Sequence, residues 1–115
     1  MKKYNFQGWA GISRAGFFPI HYEENIDWNV LVTDSYEIRI YLDKEHCNDE
    51  EKIYHKYHTS AQGFTMGKIF KLINETYIKF IDTFYDGDEG FISNLALKSF
   101  EFDEETNCVY PICTV

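Results

Sequence analysis

The stretch TMGKIFKLINETYIKFIDTFY, residues 65–85, decides the fold. Met66, Ile69, Phe70, Ile73, Tyr77, Phe80, Ile81 and Phe84 recur at three- and four-residue spacing. On a helix they make one wide apolar stripe. Lys68, Lys71, Asn74, Glu75 and Lys79 fill much of the other side. Thr65 supplies the oxygen an N-cap needs. Gly67 weakens the first turn by up to about 1 kcal/mol relative to alanine. A stripe this wide has to be covered, and a sheet is the natural cover.

The flanking sequence supplies that sheet. Residues 28–43, WNVLVTDSYEIRIYLD, alternate on both sides of a TDS turn, which predicts a hairpin. Residues 93–102 and 108–115 predict a second hairpin around DEETN, with Pro111 marking its last strand as an edge strand or a bulged one. A further strand is expected over about 4–12. SRAGFFPIHYEENI reads as loop, broken by Gly16 and Pro19. Asn48 with Glu51 three residues on predicts a short helix over about 49–57. The expected fold is α+β. One domain, 1–115, carries an antiparallel sheet of about five strands with the long helix, about 65–85, on one face.

The helix runs straight into FYDGDEGFISN, residues 84–94, where Asp86, Asp88 and Glu89 crowd between glycines. An EF-hand loop needs a bidentate glutamate at its twelfth position. Counting from Asp86 puts Leu97 there, and counting from Asp82 puts Ser93 there. The loop therefore reads as a helix stop, with Gly87 or Gly90 left-handed and the acids solvated.

Charge narrows the function. The chain carries a net charge of −8, and residues 86–115 hold seven acids against the single base Lys98. Such a surface repels nucleic acid and attracts basic proteins. No apolar run reaches the roughly 18 residues of a membrane span. The N-terminus lacks the apolar core of a secretory signal. Cys47, Cys108 and Cys113 are an odd set, and the last two fall on opposite faces of a strand. Reduced thiols in a cytoplasmic protein are the expectation.

No catalytic set assembles along the chain. GISRAG, residues 11–16, is neither a nucleophile elbow nor a P-loop, which leaves Ser13 and Arg14 in an ordinary loop. Glu23, Glu24 and Asp27 read as solvated loop acids. On a helix, His55 and His58 would face one way, and His46 and Cys47 lie just upstream. A zinc site or a small metal enzyme is thus an alternative, although no CxxC or HExxH pattern is present. No cofactor is expected.

The remaining signal is aromatic. Trp9, Phe17, Phe18, Tyr22 and Trp28 flank the glycine-containing loop, more ring surface than one strand face can hide. Part of it serves as core, and Trp9 and Tyr22 are candidate anchors for a protein partner. In length, acidity, absence of an export signal and absence of a catalytic motif, the whole chain resembles the immunity proteins of bacterial polymorphic toxin systems, including contact-dependent inhibition. The resemblance implies a non-catalytic protein that sequesters a basic toxin domain, such as a nuclease, one-to-one. A phage inhibitor of a defence nuclease would share the same physics. Contact residues are then expected at Asp86, Asp88 and Glu89, or at Asp103, Glu104 and Glu105.

Overall fold

α1 (Met66–Phe84) forms where the periodicity places it. The Thr65 hydroxyl accepts the Lys68 N–H at 3.2 Å. Two more first-turn donors are met from outside the helix: Met66 N–H donates to the Val30 carbonyl at 2.9 Å and Gly67 N–H to the Trp28 carbonyl at 2.8 Å. Residues 28–30 thus cap the helix. Gly67 allows this approach, because a β-carbon there would lie 3.1 Å from the Trp28 oxygen. At the other end Gly87 adopts φ +77° and its N–H returns to the Ile81 carbonyl at 3.0 Å, a left-handed stop.

The computed structural model describes residues 1–22, 24–42, 54–87, 90 and 95–114. Around α1 stand β1 (Lys2–Gly11), β2 (Leu31–Thr33), β3 (Glu37–Tyr41), β4 (His55–Thr59), β5 (Phe64–Thr65), β6 (Ala96–Asp103) and β7 (Cys108–Thr114). Five of them make one sheet in the order β1-β6-β7-β3-β4, and β2 pairs with β5 in a small second one. The α+β architecture is as expected, but the main sheet is mixed rather than antiparallel: β3 runs parallel to β7, with Arg39 opposite Cys108 and Ile40 opposite Val109.

The helix stripe is buried against one sheet face. Ile69, Phe70, Ile73, Tyr77, Phe80 and Ile81 lie at 1% exposure or less, as do Phe6, Ile38, Ile40, Phe100, Phe102 and Val109 opposite them. Each such side chain contributes about 1.5–3 kcal/mol on leaving water. Phe17 and Trp28 join this core: both pack on Phe70, and Phe17 stacks on it at 5.2 Å. Asn74 ties the loop after β1 to the helix, accepting the Ser13 N–H at 2.9 Å and donating to the Ser13 carbonyl at 2.8 Å. Arg14 follows with a forked pair to Asp82 at 2.6 and 3.2 Å. It thereby supplies the cation that the helix's own last turn lacks.

Three expectations change. The hairpin over 28–43 does not form, because β2 leaves the main sheet to pair with β5. Only Val32 of β2 is buried, whereas β3 buries Ile38 and Ile40. Gly63, at φ +75°, lets its backbone approach Thr33 so closely that a β-carbon would meet the Thr33 oxygen at 2.5 Å. The short helix over 49–57 is replaced at its end by β4, paired antiparallel with β3; residues 49–53 lie outside the described residues. Finally β7 is interior by order, not an edge strand. Its pairing with β3 stops at Val109, so Pro111 needs no ladder donor on that side, and the facing strand β6 is bulged between Leu97 and Ser99.

Candidate functional site

Register assigns every strand residue to one of two faces. The face away from α1 collects Glu37, Arg39 and Tyr41 from β3, aligned with Thr59, Tyr57 and His55 of β4. On the other side of β3, Arg39 neighbours Cys108, and Tyr110 lies two residues further along β7. Beyond them Asp103 faces Cys108, Glu101 faces Tyr110, and Lys3 faces Glu101. Four rings thus meet on a partly exposed surface. Tyr41 stacks on Tyr110 at 5.7 Å and leans on His55 at 5.1 Å, and His55 meets Tyr57 edge-on at 5.9 Å. Tyr57 is 49% exposed and Tyr110 37%.

Arg39 sits at the centre. Its Cζ lies 4.7 Å from the Tyr57 ring and 5.3 Å from the Tyr41 ring, and its Nη1 donates to the Tyr41 hydroxyl at 2.6 Å. Cation–π attraction holds such a guanidinium flat against its rings. Burial, then Cys108 and Asp103 alongside, push the Tyr110 phenol up from its ordinary value, so it stays a neutral donor at physiological pH. The result is a semi-apolar, aromatic platform with one planar cation, bordered by Glu37, Glu101 and Asp103. That composition matches the anchors of protein interfaces, where Tyr and Arg carry most of the energy.

Of the acidic groups expected from sequence, Asp86 lies before the Ala96 end of β6 in the chain, and Asp103, Glu104 and Glu105 lie at its other end. Eight residues at about 3.3 Å each make that strand roughly 26 Å long. Asp103, Glu104 and Glu105 form the turn into β7, with the Asp103 carboxylate accepting the Glu105 N–H at 3.0 Å. Lys2 lines the same cleft as these acids. Asp103 adjoins the aromatic face through its pairing with Cys108. Asp86, exposed and left-handed at φ +51°, sits at the helix stop instead. Asp88 and Glu89 lie outside the described residues.

The aromatic anchors divide likewise. Trp9 is 40% exposed and Tyr22 48%. Trp9 alternates with buried Ala10 and lines a shallow cleft with Asn5, Gln7, His21 and Lys98. It is fixed there by paired backbone hydrogen bonds to Ile20 at 2.8 and 3.2 Å. Tyr22 stands edge-on to Trp28 at 5.8 Å. On that side a cleft of about 460 Å³ runs between Phe17, Pro19, Trp28, Lys68 and Lys71.

The helical pairing of His55 and His58 expected for a metal site does not form. His55 and His58 are on a strand, not a helix, and odd spacing sends them to opposite faces. His55 joins the aromatic platform, whereas half-buried His58 points at the helix, its Nε2 3.1 Å from the Thr76 hydroxyl. His46 and Cys47 lie outside the described residues. Among the described residues no three of His, Cys, Asp and Glu converge as metal ligands would. Ser13's hydroxyl is occupied locally, accepting the Ala15 N–H at 3.1 Å. Cys108 and Cys113 lie on opposite faces, as their spacing requires; the Cys113 Sγ lies 3.5 Å from the Tyr77 hydroxyl under the helix.

Sequence reading missed the platform itself. Its signal was the alternation of HKYHT, residues 55–59, which a strand reading would have set beside EIRIY. No helix among the described residues is long and apolar enough to cross a membrane. Comparison with family models, characterised proteins and solved structures returns no match for this chain.

Proposed function

We propose that this chain is a non-catalytic, acidic, cytoplasmic binding protein that neutralises a basic protein partner through the face of its sheet away from α1. One observation carries the reading: the Arg39–Tyr41–Tyr57–Tyr110 platform, left open by the helix and bordered by carboxylates. The aromatic centre provides contact area at low conformational cost, and the acids provide the long-range attraction that raises association rates. Of the two acidic groups, Asp103, Glu104 and Glu105 adjoin this face and serve as the steering set. Asp86 lies at the helix stop and is secondary. A net charge of −8 argues against nucleic acid as the ligand. In this role the chain acts like an immunity protein, holding a cognate toxin domain, such as a nuclease, in a one-to-one complex.

The test is co-expression with the products of the neighbouring genes and affinity capture at low and at moderate salt. A basic partner should be recovered in equimolar amount by wild type and released by Tyr57→Ala with Tyr110→Ala. Asp103→Lys with Glu104→Lys should slow its association and flatten the salt dependence. A partner held equally well by the double tyrosine variant would place the interface elsewhere and overturn the reading.

A further inference from the structure

The chain has two arginines, and they are treated differently. Arg14 forms a forked ion pair with Asp82. Arg39 has no ion pair among the described residues, although Glu37 is on its own strand face and Asp103 is two strands away. Its Nη1 is taken by the Tyr41 hydroxyl. Its Nε is enclosed without a hydrogen-bond partner. Nη2 also lacks a hydrogen bond but is open to solvent. A guanidinium that has given up part of its hydration and gained no anion is poised for one. The two tyrosine rings and the Tyr41 hydroxyl hold it in position, and planar fork geometry is what distinguishes arginine from lysine as a carboxylate ligand.

Resting on the interface reading above, we propose that Arg39 is the anchor for a carboxylate that the partner presents at the centre of an otherwise basic surface. The occupant has a stated chemistry: an aspartate or glutamate encircled by lysines or arginines. Charge complementarity specifies it. The acids Glu37, Glu101 and Asp103 face the encircling cations while Arg39 faces the single anion. This is the charge layout of a phosphate-processing cleft, where cations hold the substrate and a carboxylate holds a metal ion or takes a proton. A protein that matched it would cover the active centre rather than a remote patch.

The sign of the effect makes the test sharp. Two nine-residue probe peptides of alternating lysine and glycine would carry a central aspartate or a central asparagine. The aspartate peptide has the lower positive charge, so overall attraction to a −8 protein favours the asparagine peptide. An Arg39 anchor reverses this, with the aspartate peptide bound roughly three- to tenfold tighter at low salt. Binding would be read from the NMR signals of the Tyr57 and Tyr110 rings in the full chain. Arg39→Gln should abolish the preference and leave the asparagine peptide unaffected. Where Arg39→Gln fails to fold, Arg39→Lys keeps the charge without the fork and should lose most of the preference. If neither peptide perturbs the tyrosines, the interface reading itself fails. If both bind but the asparagine peptide is equal or tighter, or if either arginine variant discriminates like wild type, the interface stands and the carboxylate anchor is overturned.

Discussion

Asn74→Ala probes a buried polar side chain that locks a loop to the core helix. Asn74 is 3% exposed and makes two hydrogen bonds to the same residue, Ser13, at 2.9 and 2.8 Å. Alanine removes both, leaving the Ser13 N–H without a partner in a part-buried site and the Ser13 carbonyl with only the Gly16 N–H, at 3.1 Å. Two neutral hydrogen bonds at about 1 kcal/mol each, plus desolvation of the orphaned N–H, give a loss of about 2–4 kcal/mol. Alanine's better helix propensity returns up to about 0.7 kcal/mol. The net loss, about 2–3 kcal/mol, lowers Tm by roughly 6–15 °C in a domain of this size. Urea unfolding followed by tryptophan fluorescence measures the first quantity, and hydrogen exchange at the Ser13 amide locates it. Asn74→Asp refines the argument. Its carboxylate still accepts the Ser13 N–H but faces the Ser13 carbonyl without a proton to donate. The variant is therefore destabilised when ionised and recovers as acidification protonates it. A loss below about 0.5 kcal/mol in the alanine variant, with Ser13 protection unchanged, would refute the claim that this contact holds the loop.

Two further outcomes follow from the geometry. Burial, and then Lys56, push the His58 imidazole below its ordinary value of 6.5, so the folded chain holds it neutral while the unfolded chain protonates it. Stability tied to His58 is then complete above the unfolded pKa and is lost as pH falls from about 6.5 through the lowered folded value. Urea midpoints between pH 8 and 5 should fall more steeply for wild type than for His58→Gln, and parallel slopes would sink the assignment. A β-carbon on Gly8 would lie 2.4 Å from the Ile20 oxygen, so Gly8→Ala must push residues 20–22 off β1 at a cost of about 1–3 kcal/mol. Tryptophan emission should shift with it as the Trp9–Ile20 pairing opens; an unshifted spectrum with wild-type stability would show that the segment is not pinned there.

What could be read from sequence depended on the reach of the interaction involved. α1 and its Thr65 cap are local, and periodicity located them to within a residue at each end. The β6–β7 hairpin is nearly as local, closed by DEETN with an Asx turn. The hairpin over 28–43 had equally good alternation, yet it failed. Its partner was decided by Gly63, thirty residues downstream, and by the carbonyls of Trp28 and Val30 serving as caps for the helix. Alternation reports that a residue lies on a strand but not which strand lies beside it. The same ignorance of pairing hid the parallel contact between β3 and β7, which no turn signals.

The aromatic face was hidden for a related reason. Arg39, Tyr57 and Tyr110 come from three strands, and each alone is an ordinary exposed strand residue. Only register makes them neighbours, and the histidines of HKYHT steered residues 49–57 toward a helix. Charge, by contrast, was legible from composition, but composition cannot rank the two acidic groups. Geometry separates the described members of the two groups. The turn at Asp103–Glu105 is reached from Arg39 through Cys108, one pairing on each side. The loop at Asp86 is tied instead to the helix stop, where Arg14 already balances Asp82. An acidic group speeds encounter only if the surface it steers toward can then hold the partner, and among the described acids of the two groups it is Asp103 that borders the proposed surface.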